Sequence, residues 1–230
     1  MPTMMTFLQS PHIHQAFLQG LQTTLSLSFI AILFALLLGF IGAYGRMSNH
    51  KLIRSLATAY VELFRNTPLL IQLYLYYRGL QSIGILLSPE TCGILALSLY
   101  TGAYLTEVFR SGLLSIPPQQ LDAGLSLGLS RFHTYRLILI PQALPTILPP
   151  LGNQLINLVK NSSLVAFITV SDLFSVIYKG AVEEFRPIEY FLVGATLYLF
   201  ISLTLSALVN LAEYWTSKRW KPVMPLRGTA

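Results

Sequence analysis

Apolar and polar positions in this chain segregate into long blocks. Residues 1–45 contain no Lys, Arg, Asp or Glu, and Leu21–Tyr44 is an apolar run. A helix of about 20 such residues crosses a bilayer core. The run is longer than the ~7–15 residues of a signal peptide and lacks a positive n-region, so it is expected to be retained as a first helix. Tyr190–Ala212 is a second uncharged run. Three further apolar stretches are interrupted: Ala57–Tyr77 by Glu62, Arg65 and Pro68, and Leu151–Ile177 by Lys160 and Asp172, while Thr91–Thr106 is short and lies between Glu90 and Glu107. The pattern predicts an all-α integral membrane protein with five transmembrane helices. They fall at about 21–44, 57–77, 91–109, 151–177 and 190–212. An N-terminal segment 1–20 precedes them, a loop spans about 111–150, and a basic tail covers 216–230.

Composition supports lipid as the solvent. Among 230 residues, 53% are hydrophobic and 10% charged, against roughly 25% charged in soluble domains. The mean hydropathy is +0.61. Disorder is excluded, because disordered chains are polar. The net charge of +6 is explained by its distribution. With five spans, one side holds Arg46, Lys51, Arg54, Arg65, Arg110, Arg131, Arg136, Lys160, Lys218, Arg219, Lys221 and Arg227, and the other only Arg78, Lys179 and Arg186. Cytoplasmic loops carry the Lys/Arg excess, which puts the N-terminus and segment 1–20 outside and the C-terminus in the cytoplasm. Nucleic acid is therefore not an expected partner. Membrane lipid is, with Trp215 and Trp220 as interfacial anchors. Cys92, the single cysteine, rules out an intrachain disulfide, and His12 and His14 read as solvated rather than as a metal pair.

The cytoplasmic loop between the third and fourth spans is too apolar for a linker. Pro117 and Pro118 suit a helix start. Leu121, Leu125 and Gly128 then share a face, with Gly124 beside it. Small residues permit close approach of a partner backbone, and Gly128 suits a left-handed cap. Periodicity alone fits a helix packed on its own bundle equally well. Pro141, Pro145, Pro149 and Pro150 follow, and they predict a bent chain rather than one unbroken helix.

The spacing Asp122-Ala123-Gly124, three residues, Gly128, nine residues, Ile138-Leu139-Ile140-Pro141 resembles the EAA loop of ABC-importer permeases (Glu-Ala-Ala, three, Gly, nine, Ile-x-Leu-Pro). The stretches Val61–Gln72, Tyr104–Gly112 and Leu158–Leu164 resemble signatures of the polar amino acid permeases within that family. The resemblance covers roughly residues 20–215. It implies a MetI-like ABC permease core, a second permease subunit (a copy or a related chain), two ATP-binding subunits beneath and an extracytoplasmic solute-binding protein. It also implies that Leu121, Asp122, Ala123, Gly124, Leu125 and Gly128 couple to the ATPase.

Inside the apolar stretches, Glu62, Arg65 and Lys160 are ionisable, and such groups face a partner or a water-filled path. Glu62 and Arg65 at i, i+3 suit a self-satisfied pair. Alternatively they line the solute path or a gate with Thr67, where Pro68 frees a carbonyl. Asn161, Ser162 and Ser163 offer uncharged hydrogen-bonding groups to a zwitterion, or act as glue between helices. The amide of Asn161, where many relatives resemble one another in having Asp, favours an acidic or neutral amino acid over a cationic one. No G-x-x-x-x-G-K-[ST] run is present, and no nucleophile–base set or metal-ligand cluster emerges. The chain is thus expected not to be an enzyme and to bind no cofactor itself, with ATP-Mg on the partner ATPase. The competing readings are an ion-coupled secondary carrier and a non-transporting membrane scaffold.

Overall fold

The computed structural model describes residues 11–219, all helix and connecting turns. The helices are α1 Pro11–Arg46, α2 Lys51–Arg65, α3 Leu69–Tyr74, α4 Pro89–Leu114, α5 Gln119–Ser126, α6 Arg131–Thr134, α7 Ile140–Asn161, α8 Leu173–Glu183 and α9 Pro187–Arg219. A π turn at Leu75–Gly79 extends α3, another at Tyr135–Leu139 joins α6 to α7, and a 3-10 stretch Ser162–Ile168 follows α7.

The bundle is built on α1 against α4. Ala31 and Ala35 are fully buried, and with Gly39 and Gly42 they give α1 a face of small side chains. A Cβ added at Gly39 would lie 2.6 Å from Leu105 Cβ, and one at Gly102 would lie 2.9 Å from Leu38 Cβ. Ser98 Oγ donates to Ala31 O at 3.3 Å. Such close backbone approach drives association where lipid removes the hydrophobic incentive. The contacts rise together in number (Leu27 at Gly93, Ala35 at Gly102, Thr106 at Gly42), so α1 and α4 run parallel. The connection must therefore return. It starts beside Gly45, where Ala57 packs, and reaches the far end, where Tyr77 Oη lies 3.3 Å from Thr169 Oγ1. The next pass is antiparallel to α4, with Ile147 against Gly112 and Val165 against Gly93. α9 reverses again, with Ile177 at Gly194 and Val209 at Gly152. The chain thus runs end to end five times among the described residues. α1, α4 and α9 are each long and apolar enough to cross a membrane alone, and the fourth pass bends by 52° between Ile168 and Leu173.

Several sequence expectations shift. The first helix begins at Pro11, not residue 21, because nothing breaks it and Ile13, Phe17 and Gly20 are buried; only the part of segment 1–20 before Pro11 lies outside the described residues. The second pass is not one helix over 57–77. It starts at Lys51 and breaks at 66–68. The 151–177 stretch is also discontinuous, with Asp172 accepting from Ser175 N at 2.9 Å as the cap that restarts the helix. The loop shrinks to 115–139, since α4 continues to Leu114 and α7 begins at Ile140. The proline cluster does not break the helix. Pro141 sits in the first turn of α7, and Pro145, Pro149 and Pro150 lie inside it. Burial of Ala143, Ile147 and Gly152 against α4 and α9 outweighs the lost ladder bonds, as neighbouring helices permit in membranes. Of the basic tail, 216–219 belong to α9, Trp215 is exposed on it, and Trp220 lies outside the described residues.

Gly39→Leu should destabilise the purified protein by about 1–3 kcal/mol through overpacking, read as a lower thermal unfolding midpoint. Leu37→Ala, on the exposed side of α1, should change stability by no more than about 0.5 kcal/mol.

Candidate functional site

The short helix α5 follows Pro117 and Pro118, with Asp122 in its first turn, where a negative charge complements the helix dipole. Its C-terminus is a Schellman motif. Leu129 N donates to Gly124 O at 3.2 Å and Gly128 N to Leu125 O at 3.0 Å, with Gly128 at φ +79°. This conformation favours glycine. The chain then turns into α6, whose cap Ser130 Oγ accepts from His133 N at 3.3 Å.

Two coupling candidates point inward. A Cβ at Gly124 would lie 2.4 Å from Thr134 Cγ2, so this glycine serves the α5–α6 contact rather than leaving room for a partner. Leu121 packs with Ile116, Leu139, Ala143 and Ile147. Leu125 is half-buried, while Asp122, Ala123 and Gly128 are exposed. Leu127 and Phe132, which periodicity did not single out, are 79% and 67% exposed. A strict i, i+4 reading missed Leu127 because the cap turns the chain just there.

The break in the second pass has a local cause and a local repair. Pro68 has no N–H for Phe64 O, and the buried Gln72 side chain supplies one. Its Nε2 donates to Phe64 O at 3.0 Å, to Thr67 O at 3.1 Å and to Thr67 Oγ1 at 2.6 Å. Thr67 Oγ1 in turn donates to Leu63 O at 2.8 Å. Glu62 and Arg65 do not pair with each other. Glu62 Oε2 accepts from Asn66 Nδ2 at 2.8 Å, and the Arg65 guanidinium sits 4.9 Å from the centre of the Tyr104 ring.

The other polar set lies at the end of α7. Ser162 Oγ donates to Val159 O and Ser163 Oγ to Lys160 O, both at 2.8 Å. These back-bonds accompany the change to 3-10 geometry. Ser162 is buried, Asn161 and Ser163 are half-buried, and Lys160 is exposed. Lys160 and Ser163 line an open groove of about 310 Å³ with Tyr198 and Ser202 of α9. No hydrogen bond or ion pair among the described residues joins this set to Glu62, Arg65 or Thr67.

A charge cluster that sequence reasoning did not place in the site ties α1 to α4. Glu107 lies 3.3 Å from Arg46 Nε and 2.8 Å from Arg110 Nη2, all three side chains being largely buried. The i, i+3 spacing of Glu107 and Arg110 was visible in sequence. The approach of Arg46, the first charge after a 45-residue uncharged run, was not. At the opposite end His12 is exposed, as expected, and stands 3.5 Å from Glu184.

The bundle thus combines three helices each long and apolar enough to cross a membrane, two broken passes and a short capped helix at one end. The chain belongs to the family of binding-protein-dependent transport system inner membrane components, which it matches over residues 12–221. It is 36% identical over 208 residues to the nopaline transport system permease protein of Agrobacterium fabrum, covering 86% of each chain. It is 34% identical over 197 residues to a probable glutamine ABC transporter permease protein of Bacillus subtilis, covering 86% of this chain and 91% of that one. The structure is similar to that of an amino acid ABC transporter crystallised with histidines, at a TM-score of 0.84 and 34% identity, covering 93% and 99% of the two chains. This chain is thus a multi-pass permease subunit of a binding-protein-dependent ABC importer in the inner membrane.

Glu107→Gln should cost about 1–3 kcal/mol, since two arginines lose a charged acceptor. The check is the thermal unfolding midpoint at pH 7, with Glu107→Asp retaining part of the loss.

Proposed function

We propose that this chain forms the solute path for a polar amino acid, acidic or neutral in preference to cationic. A second permease subunit pairs with it, and two ATP-binding subunits dock below, holding ATP-Mg and carrying out the hydrolysis. An extracytoplasmic binding protein delivers the solute. The chain crosses the membrane five times with its N-terminus outside and its C-terminus in the cytoplasm.

One observation carries the coupling: α5 is short and held at both ends. The Schellman cap, the Gly124–Thr134 contact and the burial of Leu121 fix it to the start of the fourth pass. Asp122, Ala123 and Leu127 remain exposed. A rigid helix passes on a push that a loose loop would absorb. Closure of the ATPase pair moves α5, and through the π turn at Tyr135–Leu139 it moves α7, whose far end carries Lys160 and leads into Ser163. Two discrete arrangements of the bundle are required for this to switch access. Glutamine in a relative's name and the uncharged Asn161 both support a neutral or acidic solute.

A cysteine at Gln119 should react with an impermeant reagent in inside-out vesicles and not in intact cells. Reaction from the outside alone would reverse the topology.

ATP-dependent uptake by the assembled importer should be competed by acidic or neutral amino acids. Competition by arginine, lysine and histidine alone would refute the preference. Ala123→Trp should abolish uptake while the subunit stays inserted, because Ala123 is exposed and the change leaves the bundle intact. Gly124→Trp is no test of docking, since it would strike Thr134. Uptake that follows an ion gradient without ATP would establish the carrier reading, and assembly with no uptake the scaffold.

A further inference from the structure

Helix α2 has three faces. Ala57, Tyr60 and Val61 pack inward, where Ala57 meets Gly45, Val61 is fully buried and Tyr60 Oη donates to Leu99 O at 2.8 Å. Leu52, Leu56 and Leu63 form an outward apolar stripe, 72%, 63% and 60% exposed. Lys51, Arg54, Ser55, Thr58, Glu62 and Arg65 form a third face at helical spacing, exposed except for the half-buried Thr58.

The polar face starts at one end of the bundle and climbs along α4. α2 starts beside Gly45, next to the Arg46–Glu107 pair, at the end that the importer reading places in the cytoplasm. It climbs until Tyr60 reaches Leu99, which lies eight residues before Glu107 on α4, a rise of roughly 12 Å. Tyr60, and Glu62 beyond it, therefore stand level with the apolar run of α4 rather than at its charged end, while the Arg65 side chain reaches back to the Tyr104 ring. Ionised groups there turn toward water or a partner, not lipid. Within this chain the stripe finds little of either. None of its four charged side chains forms an ion pair among the described residues, and no Asp or Glu precedes Glu62 in the chain. Glu62 is met only by Asn66, Arg65 only by the Tyr104 ring, and Thr58 Oγ1 donates to its own helix at Arg54 O. The stripe runs without interruption to the break at 66–68, where the helical ladder opens.

We infer that the polar stripe of α2 lines the cytoplasmic half of the solute path, with the facing wall supplied by the second permease subunit. This deepens the importer reading and rests on it. It extends the candidates Glu62, Arg65 and Thr67 to Lys51, Arg54, Ser55 and Thr58. It also gives the exit a surplus of positive charge, three cations against one carboxylate, which suits a solute that carries a carboxylate and no net positive charge.

The test uses inside-out vesicles holding the complete importer. Single cysteines are placed at Ser55, Thr58, Leu56 and Leu63, and the probe is an impermeant sulfonate thiol reagent. Cys92 is fully buried, so the unsubstituted chain is the blank. Thiols react as thiolates in water. The cysteines at Ser55 and Thr58 should label at least about tenfold faster than those at Leu56 and Leu63, which face apolar surroundings. Labelling at Thr58 should also block ATP-driven uptake. Equal labelling of the leucine positions overturns the inference, as does a refractory Thr58 cysteine in a subunit that still transports. Full uptake after complete Thr58 labelling overturns it too, by placing a wet face off the path. Failure of the importer reading itself would show separately, as no ATP-driven uptake in unlabelled vesicles, and the labelling pattern would still decide where the stripe faces.

Discussion

The parallel contact of α1 with α4 is the constraint on which the rest of this bundle depends. In lipid, two apolar helices gain little by merely touching, so they must approach closely enough for dispersion and for weak polar contacts to count. Ala31, Ala35, Gly39 and Gly42 on one side and Gly93, Gly102 and Thr106 on the other allow that approach. Parallel packing has a topological consequence. The segment between them must come back through the same layer, and that returning segment holds α2 and the break at Pro68. The Glu107 clamp on Arg46 and Arg110 closes one end of the pair and leaves the two helices in a single register.

Both returning passes are discontinuous, and in each the exposed backbone polarity is answered by a nearby side chain. Gln72 serves the carbonyls around Pro68. Asp172 serves the amides that start α8, and Thr24 Oγ1 accepts from Leu173 N at 3.0 Å. Irregular backbone at membrane depth survives only where it is buried in protein or lines water. The set Glu62–Thr67 adjoins the break at 66–68, and Lys160–Ser163 precedes the break at 169–172 by the rest of the 3-10 stretch.

The short helix α5 is held in place by contacts internal to the chain. Gly124 and Leu121 hold it to the bundle, and Gly128 turns the chain back toward Thr134. Its outward face is left small and acidic at Asp122 and Ala123, with Leu127 beside them. The features most evident as a motif thus divide into two duties, and only part of the motif is open to a partner.

The sequence alone determined whatever depends on near neighbours or on bulk partition. The uncharged runs marked the helices. Pro117, Pro118 and Gly128 bounded α5, and Pro68 broke the second pass, because caps and missing N–H groups act within four or five residues. The tertiary structure decided everything that required a distant surface. Four prolines did not interrupt α7, since packing against α4 and α9 holds it as one helix. Glu62 and Arg65, correctly spaced to pair, each found another group, Arg65 one that is 39 residues away at Tyr104. Arg46 met Glu107 only because two helices run parallel. Gly124 turned inward because Thr134 stands opposite it. A helical face is legible from period and composition, but what lies across from it depends on contacts between residues far apart in the chain.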